Sequence, residues 1–145
     1  VGRMLKQLPL QRIAYNAIPS VVYTNPEIAC VGLTEKDLNE IHEGDFAPSM
    51  STDEPFVPYE VHQLPMTYSG RFVAENEGEM GLCKVIVDKR SKTVMGVHMI
   101  GNPCSEFVAA ASFAVRMGYT VGEFKQVVFP HPTVAEVMRE VIMEA

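Results

Sequence analysis

Residues 81–88 and 93–100 constrain what this chain can fold into more than any other stretch. Each run is rich in β-branched and apolar side chains, and the polar Lys89-Arg90-Ser91-Lys92 between them reads as a hairpin turn. In the second run Met95, Val97 and Met99 alternate with Val94, Gly96, His98 and Ile100, and both sets are mostly apolar. A strand that is apolar on both sides predicts a sheet covered on both faces. His98 falls within that pattern, which predicts a hydrogen-bonded sheet histidine rather than a metal ligand.

Helices to cover such a sheet follow directly. Asn102 and Pro103 suit an N-cap and first helical position, the helix is expected to run to about Met117, and Gly118 supplies its stop. Ala109, Ala110, Ala111 and Ala114 would let another backbone approach it closely. Thr120-Val121-Gly122-Glu123 is a capping box that predicts a short helix to about Val128. Val134, Val137, Met138, Val141 and Ile142 recur at helical spacing and predict a last helix with one face on the core. Upstream, Val21-Val22-Tyr23-Thr24 and Ile28-Ala29-Cys30-Val31-Gly32 read as extended chain around an Asn25-Pro26 turn. Thr34-Glu35-Lys36-Asp37 opens a short helix to about Glu40. Residues 41–59, with four acids and three prolines, read as a surface loop. Within it His42, Glu43 and Asp45 have no spacing that matches a metal site. Residues 60–74 return to strand character. The expected fold is α+β, a mostly antiparallel sheet with helices packed on it, over residues 14–145. Residues 1–13 read as a tail or the remnant of a preceding domain.

With 145 residues, 47% of them hydrophobic, one domain can hold a real core. The formal net charge of −6 argues against a nucleic-acid or anionic-membrane partner, since both need a basic surface. No apolar run reaches transmembrane length, no signal peptide is visible, and the start at Val1 suggests a piece of a longer protein. Cys30, Cys83 and Cys104 form no Cys-x-x-Cys pair and no metal spacing with histidine. Three widely spaced cysteines point to reduced thiols and a cytoplasmic setting.

The stretch from Phe129 to Glu136 is where chemistry is expected. Thr133-x-x-Glu136 has the form of a capping box, with Thr133 as N-cap and Glu136 as the third helical residue. A side chain there leans back toward the helix start, where His131 lies between Pro130 and Pro132. A carboxylate bonded to one imidazole nitrogen orients the ring and leaves the other nitrogen for proton transfer. Spacing alone leaves two readings open. Glu136 caps backbone amides beside a proline-fixed turn histidine, or His131 and Glu136 form an acid–base dyad. No Gly-x-Gly-x-x-Gly, phosphate loop or serine nucleophile elbow accompanies them. A base without a nucleophile or cofactor motif implies that its chemistry lies on another chain or domain.

Three motifs add a resemblance. Val21 to Gly32 resembles the start of the C-terminal dimerisation domain of the pyridine nucleotide-disulfide oxidoreductases. Val94 to Gly101 followed by Ser105-Glu106 is similar to that domain's hairpin-to-helix passage, and His131-Pro132-Thr133-x-x-Glu136 matches the family's active-site signature. The motifs come in the family's order and span nearly the whole chain. Pro26-Glu27-Ile28-Ala29 looks most like the dihydrolipoamide dehydrogenases. Phe129, where that subfamily usually has a second histidine, and the long loop at residues 41–59 depart from it.

The resemblance implies a homodimeric flavoenzyme whose N-terminal part binds FAD and NAD and carries a redox-active cysteine pair. It implies that His131 and Glu136 are catalytic, lent to the partner subunit's disulfide and flavin site, with a cis His131–Pro132 bond and both residues near the partner's flavin. This piece alone would bind neither cofactor and would be inactive. Lipoyl domains of a 2-oxoacid dehydrogenase or glycine cleavage complex would be the partners. The alternatives are a stand-alone homodimerisation module of the same fold and the interface domain of another disulfide or mercuric reductase.

Overall fold

The computed structural model describes residues 13–43 and 58–145. Its frame is a five-stranded sheet in the order β1-β2-β5-β4-β3, with every neighbouring pair antiparallel. The strands are β1 (Ser20–Val22), β2 (Ile28–Gly32), β3 (Tyr59–Pro65), β4 (Leu82–Asp88) and β5 (Val94–Ile100). The expected hairpin is β4–β5, at the heart of the sheet, and its ladder carries one irregularity at Ile86/Val87. On one face Ala29, Val31, Cys83, Val85, Val97 and Met99 come into register across three strands, and all are buried. Helix α3 (Cys104–Met117) covers the β2–β5 half of that face and α5 (Glu136–Met143) the β3–β4 half. Their periodic positions meet the strands: Val108, Ala111, Ala114 and Val115 from α3, and Val137, Met138, Val141 and Ile142 from α5.

Among the described residues the opposite face is only partly covered, where the sequence reading expected cover on both faces. At one end α1 (Glu35–Glu43) lies over it. There Ile86 and Leu38 are buried, and Glu35 pairs with Lys84 at 2.6 Å. At the other end Ile28, Cys30, Leu82, Lys84, His98 and Ile100 line an open hollow of about 270 Å³. His98 is a bonded sheet histidine, donating from Nε2 to the Leu33 carbonyl at 3.0 Å. The β2–β5 pair closes on two glycines. Gly32 sits opposite Gly96, and a Cβ on either would meet a backbone oxygen at 2.2 Å.

Several boundaries differ from the sequence reading. Helix α1 extends to Glu43, so residues 41–43 are helix rather than loop, and residues 44–57, with Asp45, lie outside the described residues. The same holds for residues 1–12 of the expected tail. Residues 60–74 are not one strand: β3 ends at Pro65, a 3-10 turn takes Met66–Tyr68, and α2 (Gly70–Glu75) follows. Asn102 does not cap α3. Its side chain accepts from the Glu27 amide and donates to Asn25, and it is Glu27 that takes the Ser105 N–H in the first turn of α3, at 2.9 Å. The glycine stop holds, with Gly118 left-handed at φ 66°. Helix α4 (Val121–Phe124) has the predicted capping box but ends sooner than expected. Among the described residues no helix is long and apolar enough to cross a membrane.

Candidate functional site

The segment between α4 and α5 is held at both ends. The Phe129 ring packs on Phe124 with centroids 5.9 Å apart, and Val134 is buried beneath the start of α5. Between them His131–Pro132 is a cis peptide. The structure brings His131 and Glu136 together: Nδ1 of His131 donates to Oε1 of Glu136 at 2.8 Å. An ionised carboxylate can only accept, so Nδ1 carries the hydrogen and Nε2 is left free. The His131 side chain is 83% exposed, whereas that of Glu136 is 20% exposed. The carboxylate is thus part of the protein body, and the imidazole stands out from it.

The second carboxylate oxygen, Oε2, accepts the Thr133 N–H at 2.7 Å. That amide, ahead of smaller help from His131 and Arg139, holds the Glu136 carboxyl below its usual range against the opposing effect of partial burial. Only half of the expected capping box forms. The Thr133 hydroxyl does not accept from the helix. It donates to the Pro130 carbonyl at 2.8 Å. The first amides of α5 turn back instead to Val134 and Ala135, so Glu136 opens the helix rather than standing third in it.

Two residues that matter to this region were not singled out from sequence. Ser69, 2% exposed, caps α2 by accepting from the Phe72 amide at 3.2 Å and donates to the Thr133 carbonyl at 2.9 Å. Its signal was a serine three residues ahead of a core phenylalanine, hidden by the β-like composition around it. Glu27 fixes α3 from 78 positions away, and only the fold could reveal that.

Two open hollows flank the dyad turn. One, of about 290 Å³, is lined by Arg71, Glu75, Pro103, Phe107, Pro132 and Thr133. The other, of about 270 Å³, is bordered by Lys125, Gln126, Phe129, Glu136 and Arg139. Cys30 bonds the Ser20 carbonyl, and Cys83 and Cys104 are buried in the core, so no thiol of the described residues stands beside His131. The arrangement can hold and move a proton at Nε2.

Comparison with known proteins gives this turn its setting. A mitochondrial dihydrolipoyl dehydrogenase of Caenorhabditis elegans is 36% identical over 133 residues, covering 92% of this chain and 24% of that protein. A dihydrolipoyl dehydrogenase of Haloferax volcanii is 35% identical over 124 residues, covering 86% of this chain and 23% of the relative. The chain therefore spans about a quarter of the length of the relatives it matches. Among solved structures, LpdA of Mycobacterium tuberculosis superposes with a TM-score of 0.80 at 21% identity, over 99% of this chain and 28% of that one. The hypochlorous acid-induced flavoprotein disulfide reductase RclA of Escherichia coli superposes at 0.72 with 19% identity, over 89% of this chain and 26% of that one. These two likenesses concern the fold. The model of the pyridine nucleotide-disulphide oxidoreductase dimerisation domain matches residues 18–142, and this chain belongs to that family.

Proposed function

We propose that this chain is the interface domain of a homodimeric dihydrolipoyl dehydrogenase-type enzyme, and that His131 and Glu136 supply its acid–base pair. The observation that carries the reading is the dyad geometry: a carboxylate 2.8 Å from Nδ1, with Nε2 free on a ring that is 83% exposed. A solvated turn histidine needs no anchored carboxylate, whereas a base that serves a neighbouring subunit needs both the anchor and the exposure.

In the proposed reaction Nε2 of His131 takes the proton of a dihydrolipoyl thiol. The resulting thiolate attacks one sulfur of the enzyme's disulfide, which breaks the S–S bond, forms a mixed disulfide and releases the other enzyme sulfur as thiolate. The second dihydrolipoyl thiol then attacks the mixed disulfide, closing the lipoyl ring and leaving the enzyme dithiol. Glu136 keeps the ring aimed throughout and balances the positive charge on His131. His131 and Pro132 would lie beside FAD in the full-length enzyme, and the flavin would supply the route for the electron pair from the enzyme dithiol to NAD. The open hollows beside the dyad do not enclose a flavin or a dinucleotide, so His131 and Pro132 would form one edge of a site completed by the partner subunit. The isolated chain would then be inactive, and lipoyl-bearing domains would present the substrate.

In the full-length enzyme, His131→Gln is expected to lower turnover by about 10²–10⁴-fold at unchanged FAD content, the usual contribution of a positioned base. Activity that survives the substitution overturns the assignment. A second reading, another disulfide reductase of the family, is favoured by Phe129, which sets an apolar ring beside the turn. Turnover of dihydrolipoamide against a panel of small disulfides separates the two.

A further inference from the structure

We infer that Ser69 is a positioning residue for the His131–Glu136 pair, an inference that rests on the acid–base reading above. Ser69 is the one buried polar side chain among the described residues, at 2% exposure. Its hydroxyl joins two segments 64 positions apart, donating to the Thr133 carbonyl at 2.9 Å while accepting the Phe72 amide at 3.2 Å. Phe72 is fully buried, so the start of α2 is a fixed post. Thr133 is the residue whose amide, 2.7 Å from Oε2, aims the Glu136 carboxylate. No α5 amide takes the Thr133 carbonyl: those of Val137 and Met138 turn to Val134 and Ala135. Ser69 is therefore what satisfies that half-buried carbonyl, and without it the carbonyl would turn to find another donor. Rotation of Thr133 would swing its amide off Oε2 and shift Oε1 beneath the imidazole. The chain of support runs from the core at Phe72 through Ser69 and Thr133 to Glu136, and ends at His131. Arg71 and Glu75, on the same helix, border the hollow against Pro132 and Thr133, so α2 backs the turn along its length.

The test uses the full-length FAD-loaded enzyme with Ser69→Ala, Ser69→Thr and, as reference, His131→Gln. Ser69→Ala is expected to lower kcat about ten- to a hundredfold, the cost of misplacing a catalytic group by a fraction of an ångström to an ångström, with KM changed by less than about twofold. Ser69→Thr, which keeps the hydroxyl, is expected to recover most of that loss. The downfield Nδ1 proton of His131, assigned by its absence in His131→Gln, is expected to broaden or vanish in Ser69→Ala and to return in Ser69→Thr. A mere loss of stability would not move this signal in the folded fraction. The inference is overturned if Ser69→Ala keeps kcat while His131→Gln abolishes it. It is equally overturned if kcat falls only in step with FAD-loaded enzyme while the Nδ1 signal is unchanged, or if Ser69→Thr restores neither quantity. If His131→Gln is itself harmless, it is the acid–base reading that fails, and the two failures are thereby told apart.

Discussion

Replacing Glu136 with alanine probes both jobs of that carboxylate at once. Its bond to the Thr133 amide is short, at 2.7 Å, and charge-assisted. Such bonds contribute about 1.5–3 kcal/mol, and solvent access to the carboxylate argues for the low end. The bond to His131 involves a ring that is 83% exposed, so it adds less than about 1 kcal/mol. A negative charge in the first turn of α5 adds about 0.3–1 kcal/mol. Together these give about 2 kcal/mol, or roughly a 1 M fall in the urea midpoint for a chain of this size. Glu136→Gln keeps an acceptor for Thr133 but loses the charge, so about half that fall is expected. The pH dependence has a definite sign. The folded carboxyl is depressed below its ordinary value of 4.5, so its stabilisation is fully present above that pH and is lost as pH falls through the folded value. The gap between parent and Glu136→Ala should be widest near neutrality and narrow as pH falls below 4.5. A gap under about 0.5 kcal/mol at pH 7, or one that persists unchanged to pH 3, would refute the bonding scheme.

Gly32→Ala should destabilise the chain by about 3 kcal/mol or more, because Gly32 combines φ +83° with a Cβ position 2.2 Å from the Met95 oxygen. A thermal midpoint within about 2 °C of the parent would show that the β2–β5 approach can relax. Burial first, and in Cys83 the neighbouring Cys104, pushes the thiol of Cys83 up to about 12, while burial and then Glu27 push that of Cys104 up to about 11. Iodoacetamide on the native chain at about pH 8 should therefore modify Cys30 alone, as read by mass spectrometry, since the thiolate is the reactive form. Labelling of Cys83 or Cys104 at the rate of Cys30 would mean that the core opens on that timescale.

What could be read from sequence divides along the range of the forces involved. The β4–β5 hairpin was legible because its turn chemistry and apolar runs are local, and so were the Gly118 stop and the Thr120 capping box. Helix α2 was not. Tyr68, Phe72 and Val73 carry β-like composition, and Phe72 is helical because Ser69 caps the turn and the core takes the ring. Asn102 was misread for a related reason. Asn-Pro is a sound local signal for a helix start, but Glu27 and Asn25 from the other end of the chain claim the amide and the side chain involved. The face of the sheet beyond α1 looked covered because Gly96, His98 and Ile100 sit in an apolar run, while its cover among the described residues depends on how far α1 reaches.

At Glu136 the two sequence readings, a helix-start carboxylate and half of a dyad, are not rivals. A carboxylate has two oxygens, and here they face different donors: Oε2 meets the Thr133 amide and Oε1 meets Nδ1 of His131. The two bonds also act in one direction. The amide is the largest of the effects that hold the carboxyl below its ordinary range, ahead of those of the imidazole itself. Under the proposed function a proton arriving at Nε2 would find a counter-charge already in place. An apolar or hydroxyl cap in that position would satisfy the turn but leave the imidazole without this bias. Under the proposed function the helix start does more than aim the glutamate: it sets the charge that would make the histidine usable as a base.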